Sequence, residues 1–162
     1  SNMKCILYPN PYPDQPDNLS RWTPVPESEA KGWDWCVEHL RRAGLIHDDY
    51  WIVDETDLPG GAISVENDHN YFFDAWEWKD EKVQPNMPKA RVIHMDRIRS
   101  KRDAALAALD VPFMRAVEAG DTDEQERIAA EKQVLRDIPQ TLDLDGCATP
   151  EALGAAWPEE LR

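Results

Sequence analysis

Cysteine is scarce in this chain and poorly spaced for cross-linking. The 162 residues hold three, Cys5, Cys36 and Cys147. An odd number at wide spacing argues against a disulfide framework or a cysteine-ligated zinc site. The three are read as reduced thiols of a cytoplasmic protein. Long apolar runs are missing as well. No stretch approaches the roughly 20 residues that a membrane-spanning helix needs, and no secretory signal is expected at the start. Basic charge is in deficit, with 18 Lys and Arg against 32 Asp and Glu, a formal net charge of −14. A chain this acidic does not bind nucleic acid or an anionic membrane through its whole surface. Phosphate-cradling glycine loops are absent too. Gly60-Gly61 is a lone pair in a turn, without the further glycines or lysine of a mononucleotide loop.

What is present suffices for a core. The hydrophobic fraction is 41%, with seven Trp, four Tyr and three Phe, so global disorder is not expected. The length fits one ordinary domain or two small ones. Ser1-Asn2 ahead of Met3 reads as the remnant of an expression tag. Charge is unevenly distributed. Residues 1–81 carry 6 basic and 17 acidic side chains, residues 82–117 carry 8 and 3, and residues 118–162 carry 4 and 12. The basic middle segment is expected to be neutralised by its acidic neighbours or by another subunit.

The opening is rich in proline, at positions 9, 11, 13, 16, 24 and 26, so no helix is expected there. Cys5 to Tyr8 reads as a short strand and the rest as extended loop. Residues 27–43 show a helical face of Trp33, Cys36, Val37, Leu40 and Ala43, stopped by Gly44. Tyr50 to Val53 reads as a strand, Asp57 to Gly61 as a turn, Ala62 to Val65 as a brief strand, and Asn67 to Asn70 as another turn. Tyr71 to Lys79 is expected to be a strand. Its aromatics are read as either a sheet covered on both faces or a recognition surface. A helix is predicted from Pro88 to Leu109, with a stripe through Arg91, Met95, Ile98, Arg102, Ala105 and Leu109. Asp110 opens a short helix that carries Phe113, Met114 and Val117 and ends at Gly120. Asp121 caps the next helix, which Pro139 should end, and Thr149-Pro150 starts a last short one.

Candidate chemistry is thin. Cys36 and His39 lie one helical turn apart, yet Cys36 belongs to the apolar face and reads as packed. The histidines His39, His47, His69 and His94 form no close ligand pair and are read as surface positions. Asp54, Glu55 and Asp57, and Asp143 with Asp145, read as solvated turns rather than Mg²⁺ or Ca²⁺ sites. Lys89, Arg91, Arg97, Arg99, Lys101 and Arg102 would suit a nucleic-acid helix in a basic protein. Here Asp96 and Asp103 interrupt them. No catalytic residue, metal or cofactor is assigned.

Met87-Pro88-Lys89-Ala90-Arg91 with Ile93-His94 and Arg97 resembles a block of small bacteriophage and prophage tail-region proteins. Leu106 to Val111 does so too. The stretch from Gln133 to Pro139, with Trp157-Pro158 after it, resembles the C-terminal helical hairpin of tail-fibre assembly chaperones. Tyr50 to Pro59 and Phe73 to Glu77 are similar to a phage pattern found ahead of such hairpins. The Trp or Tyr that usually stands just upstream of the hairpin's Arg-Gln block is replaced here by Ile128 to Lys132. The resemblance implies no cofactor and no active site. It implies a tail protein, such as a tail fibre, as client.

The expected fold is α+β. A small helix-plus-sheet module, residues 1–86, precedes an antiparallel helical hairpin with a short C-terminal helix, residues 87–162. The expected function is non-enzymatic: binding another phage or prophage tail protein during assembly, in the bacterial host cytoplasm, or persisting in the virion. Met95, Ile98, Arg102, Phe113, Met114 and Trp157 are the expected partner surface, and a second copy of the chain is an expected partner as well. Neither nucleic acid nor membrane is expected to bind. The alternatives are an acidic DNA mimic or other host-interaction protein of phage origin, and a hydrolase using Cys36 and His39.

Overall fold

The unbroken apolar run at the start has a structural cause: it is covered on both sides. The structure, a computed structural model, describes residues 3–12, 14, 17–59 and 71–162. It divides into two compact units, residues 1–86 and 87–162. In the first, strand β1 (Lys4–Pro9) is central, with β2 (Leu19–Trp22) and β3 (Trp51–Asp54) antiparallel on its two edges. The register pairs Leu7 with Arg21 on one side and with Trp51 on the other. Side chains alternate along a strand, so Cys5 and Leu7 point one way and Ile6 and Tyr8 the other. Ile6 and Tyr8 pack with Cys36, Val37, Leu40 and Ile46. Cys5 and Leu7 pack with Val53, Leu58, Trp76 and Val83. All four β1 side chains are essentially excluded from water.

The helical layer is shorter than its periodicity suggests. A single helix over residues 27–43 is expected; α1 (Pro26–Glu29) and α2 (Trp33–Arg42) are observed. Gly32 separates them at φ +93°, a conformation open to glycine and strained for other residues. The stop at Gly44 is as expected. Its N–H donates to the Arg41 carbonyl and the Leu45 N–H to the Leu40 carbonyl, which closes the helix end in a Schellman arrangement.

The opposite layer is a two-stranded hairpin, β4 (Trp76–Lys79) with β5 (Lys82–Pro85). Trp51 and Trp78 stack at 4.7 Å between the two sheets. The strand expected over residues 71–79 begins only at Trp76, because Phe73–Ala75 is a 3₁₀ turn. A two-residue period would send Phe72 and Ala75 to opposite faces. The tighter turn lets Phe72, Ala75 and Trp76 all be buried. Phe72 and Trp76 are therefore core, Phe73 and Trp78 pack partly buried against it, and Tyr71 is half-exposed. Two further strands are observed, β2 where loop was expected and β5 where no element was expected, each on a stretch free of internal proline. The strand expected at Ala62–Val65, the turn at Asn67–Asn70, and Gly60-Gly61 lie outside the described residues.

The second unit is helical: α3 (Met87–Ala108), α4 (Asp110–Glu118), α5 (Thr122–Thr141) and α6 (Pro150–Gly154), ending in a 3₁₀ turn, Glu159–Leu161. Leu109 keeps a helical backbone, so α3 continues into α4 with a bend. Gly120, at φ +66°, then reverses the chain. Asp121 accepts from the Glu124 N–H and Thr149 from the Ala152 N–H, the two caps expected from sequence. The α4–α5 hairpin is antiparallel. Lys132 pairs with Asp110 at 2.7 Å near one end, and Gln125 reaches the Ala116 carbonyl near the other. Pro139 does not end α5, which runs to Thr141. Proline removes one N–H here, but the last turn still closes from the Leu142 N–H to the Ile138 carbonyl.

Helix α3 packs against α5, α6 and the final turn. Its fully buried line is Ala90, His94 and Ile98, not the whole expected stripe. The fold as a whole is mixed α+β, as expected.

Candidate functional site

The six side chains expected to form one partner surface are dispersed over the helical unit. Ile98 is fully buried in the single chain, so it supports α3 from beneath. Phe113 is half-buried under the Lys132 ammonium, which lies 5.3 Å from its ring. Trp157 is half-buried. His94 meets it edge-on at 5.0 Å, Lys101 sits 4.9 Å from the ring, and its indole N–H donates to the Gly154 carbonyl. The guanidinium of Arg102 donates to Asp103 at 3.1 and 3.0 Å. Met114 is exposed and Met95 half-exposed.

Two features of the helical unit gather exposed apolar side chains instead. One is a ridge on α4, where Val111, Met114 and Val117 recur every three residues and are each more than half exposed. Spacing of three keeps them along one side of the helix. The other is an open groove of about 270 Å³ between α3 and residues 142–145. Val92, Met95 and Leu142 supply its apolar lining, and Arg99, Asp143 and Asp145 its charged lining. The far wall is tied down. Arg91 donates through Nε to the Leu144 carbonyl at 3.2 Å and through Nη2 to the Cys147 carbonyl at 3.0 Å. Asp143 accepts from the Asp145 N–H at 2.9 Å, which fixes that turn.

For His94 the sequence predicts a surface position. It is fully buried, and its Nε2–H donates to the Ala156 carbonyl at 2.9 Å. Burial holds its pKa below the usual histidine value, so the neutral ring is favoured. It anchors the C-terminal segment on α3. Single-sequence periodicity gave no signal for this, because a polar residue on a helix is counted as outward-facing. The basic face of α3 is balanced partly within the helix, by Arg99 with Asp96 and Arg102 with Asp103.

The candidate nucleophile pair Cys36 and His39 is not set up for covalent chemistry. The Cys36 thiol donates to the Ser28 carbonyl at 3.5 Å, and burial raises its pKa, the opposite of activation. His39 stacks flat on Trp35 at 5.0 Å. Asp54 caps its own turn, and the Thr56 N–H and hydroxyl hold its carboxyl below the usual range. Among the described residues, no three His, Cys, Asp or Glu side chains are placed to hold a metal ion. A larger open cavity, about 580 Å³, lies in the first unit. Lys4, Asp54, Asp57, Glu81 and Lys82 give it charges of both signs beside Trp78. No described helix is long and apolar enough to cross a membrane.

Comparison with known proteins falls on the same helical unit. Residues 95–160 match the phage tail assembly chaperone protein family. No curated protein and no solved structure matches the chain. The match supports a phage tail-region protein that resembles the assembly chaperones, and a role in tail assembly. It runs from the middle of α3 to the final turn and so includes most of the groove, the α4 ridge and Trp157. The likeness expected from Tyr50 onward is matched only from Met95.

Proposed function

We propose that this chain is a non-enzymatic assembly protein of a phage or prophage tail, and that its helical unit holds another tail protein during assembly. The observation that carries this reading is the coincidence of two independent features. The segment similar to tail assembly chaperones also carries a row of large apolar side chains left in water along one helix side, Val111, Met114 and Val117. Apolar side chains aligned on one helix face commonly mark a protein-binding surface. The client is a tail protein, with a tail fibre the first candidate. The complex forms in the cytoplasm of the bacterial host. Met95, Met114 and Trp157 remain candidate contacts, whereas Ile98 acts by holding the helix in place. The formal charge of −14 would also suit a DNA mimic, but exposed Arg99 and Lys101 interrupt a continuous negative face.

The test is co-expression of the chain with each tail protein encoded by the same phage, followed by size-exclusion chromatography. A defined complex with one of them is expected. Failure of every tail protein to co-elute, together with binding to a DNA-processing enzyme, would replace this reading with the mimic.

A further inference from the structure

We infer that the groove between α3 and residues 142–145 is a docking site for a protein segment that presents one large apolar side chain beside a lysine or arginine. This rests on the chaperone-like reading and names the chemistry of the partner at one place. Three observations converge on it. The first is size and openness. At about 270 Å³ the groove lies below the range of roughly 300–1,000 Å³ common for small-molecule sites, and it is open along its length. It has room for an anchoring side chain, with the backbone that carries it lying outside. The second is the lining. Val92 is 61% exposed, and Met95 and Leu142 are half-exposed, so an apolar anchor would cover surface now wet. Methionine adapts to anchors of differing shape.

The third observation is charge. On the helix side, Arg99 is matched by Asp96 at 3.1 Å, and Arg91 is engaged with the backbone of the opposite wall. On the other side, Asp143 and Asp145 are exposed and form no ion pair among the described residues, while the wall that carries them is pinned. Arg91 keeps its charge while donating to carbonyls, so with Asp96 counted three carboxylates face two guanidiniums; the excess is one negative charge, on the side of Asp143 and Asp145, and the complementary partner is basic at that point. A preformed wall also lowers the ordering cost of binding.

The experiment uses the full ¹⁵N-labelled chain and two synthetic peptides that differ only in flanking charge, lysine–phenylalanine–lysine and glutamate–phenylalanine–glutamate. The lysine peptide should shift the amides of Val92, Met95 and residues 142–145, and bind roughly five-fold more tightly than the glutamate peptide. The double variant Asp143→Asn/Asp145→Asn should abolish that preference. Val92→Glu should weaken the lysine peptide about ten-fold or more while leaving the dispersed spectrum of a folded chain. Shifts centred elsewhere, equal binding of the two peptides, or concentration-dependent self-association at these same amides would overturn the inference. A tail-protein complex that protects other residues would overturn it while leaving the assembly reading standing.

Discussion

Ile98 and Met114 look alike in sequence, two apolar residues on amphipathic helices, yet the structure assigns them opposite roles. Ile98 has no exposed surface, whereas Met114 is 61% exposed. Replacing Ile98 with alanine removes about three methylene equivalents from the core. At about 0.8 kcal/mol each, the lost transfer energy is roughly 2.4 kcal/mol. The cavity left beneath α3 raises the cost, and large-to-alanine changes in cores span about 2–5 kcal/mol. Alanine's better helix propensity returns less than about 0.5 kcal/mol. A net loss of about 3 kcal/mol is expected. In a unit of this size that is a fall in Tm on the order of 10–25 °C. Met114→Ala removes side chain from water-exposed surface and should stay within about 0.5 kcal/mol of the parent. Thermal and urea unfolding followed at 222 nm would measure both. A loss under about 1 kcal/mol for Ile98→Ala, or an equal loss for Met114→Ala, would refute the placement of the two faces.

Three further outcomes are expected. Because burial holds the folded pKa of His94 below its unfolded value, the unfolded chain binds the proton more readily, and stability falls as pH drops below about 6.5. His94→Gln keeps a donor for the Ala156 carbonyl and should flatten the difference in Tm between pH 7.5 and 5; an unchanged difference would contradict this. The β4–β5 turn places Asp80 at φ 53° and Glu81 at φ 60°, so Glu81→Gly should stabilise the first unit by about 0.5–1 kcal/mol in denaturant titration, and destabilisation would count against the strain. With a thiol reagent, half-buried Cys147 should react in the folded chain, while Cys5 and Cys36 should wait for unfolding. Rapid labelling of Cys36 would contradict its burial.

The elements most legible in the sequence were those whose signals are local. The caps Asp121 and Thr149, the Gly44 stop and the long α3 all declare themselves within a few residues. Less legible were features set by distant neighbours. Strands β2 and β5 form because β1 and β4 offer partners, and nothing in Leu19–Trp22 or Lys82–Pro85 announces that alone. Gly32 is a single residue within a good helical period, and its positive φ appears only once the chain must turn there. The expected surface scattered for the same reason. Helical spacing put Met95 and Ile98 on one stripe, but it could not say that the C-terminal segment, tied by Arg91 and His94, leaves one half-exposed while the other is fully buried. The groove formed by that segment is tertiary and has no sequence signature.

Amide hydrogen exchange of the full chain, alone and with its co-eluting tail protein, tests most directly whether residues 87–162 are the holding unit. Protection gained within α3, α4 and residues 142–145, with the first unit unchanged, is the predicted result. Protection confined to residues 1–86 would contradict it.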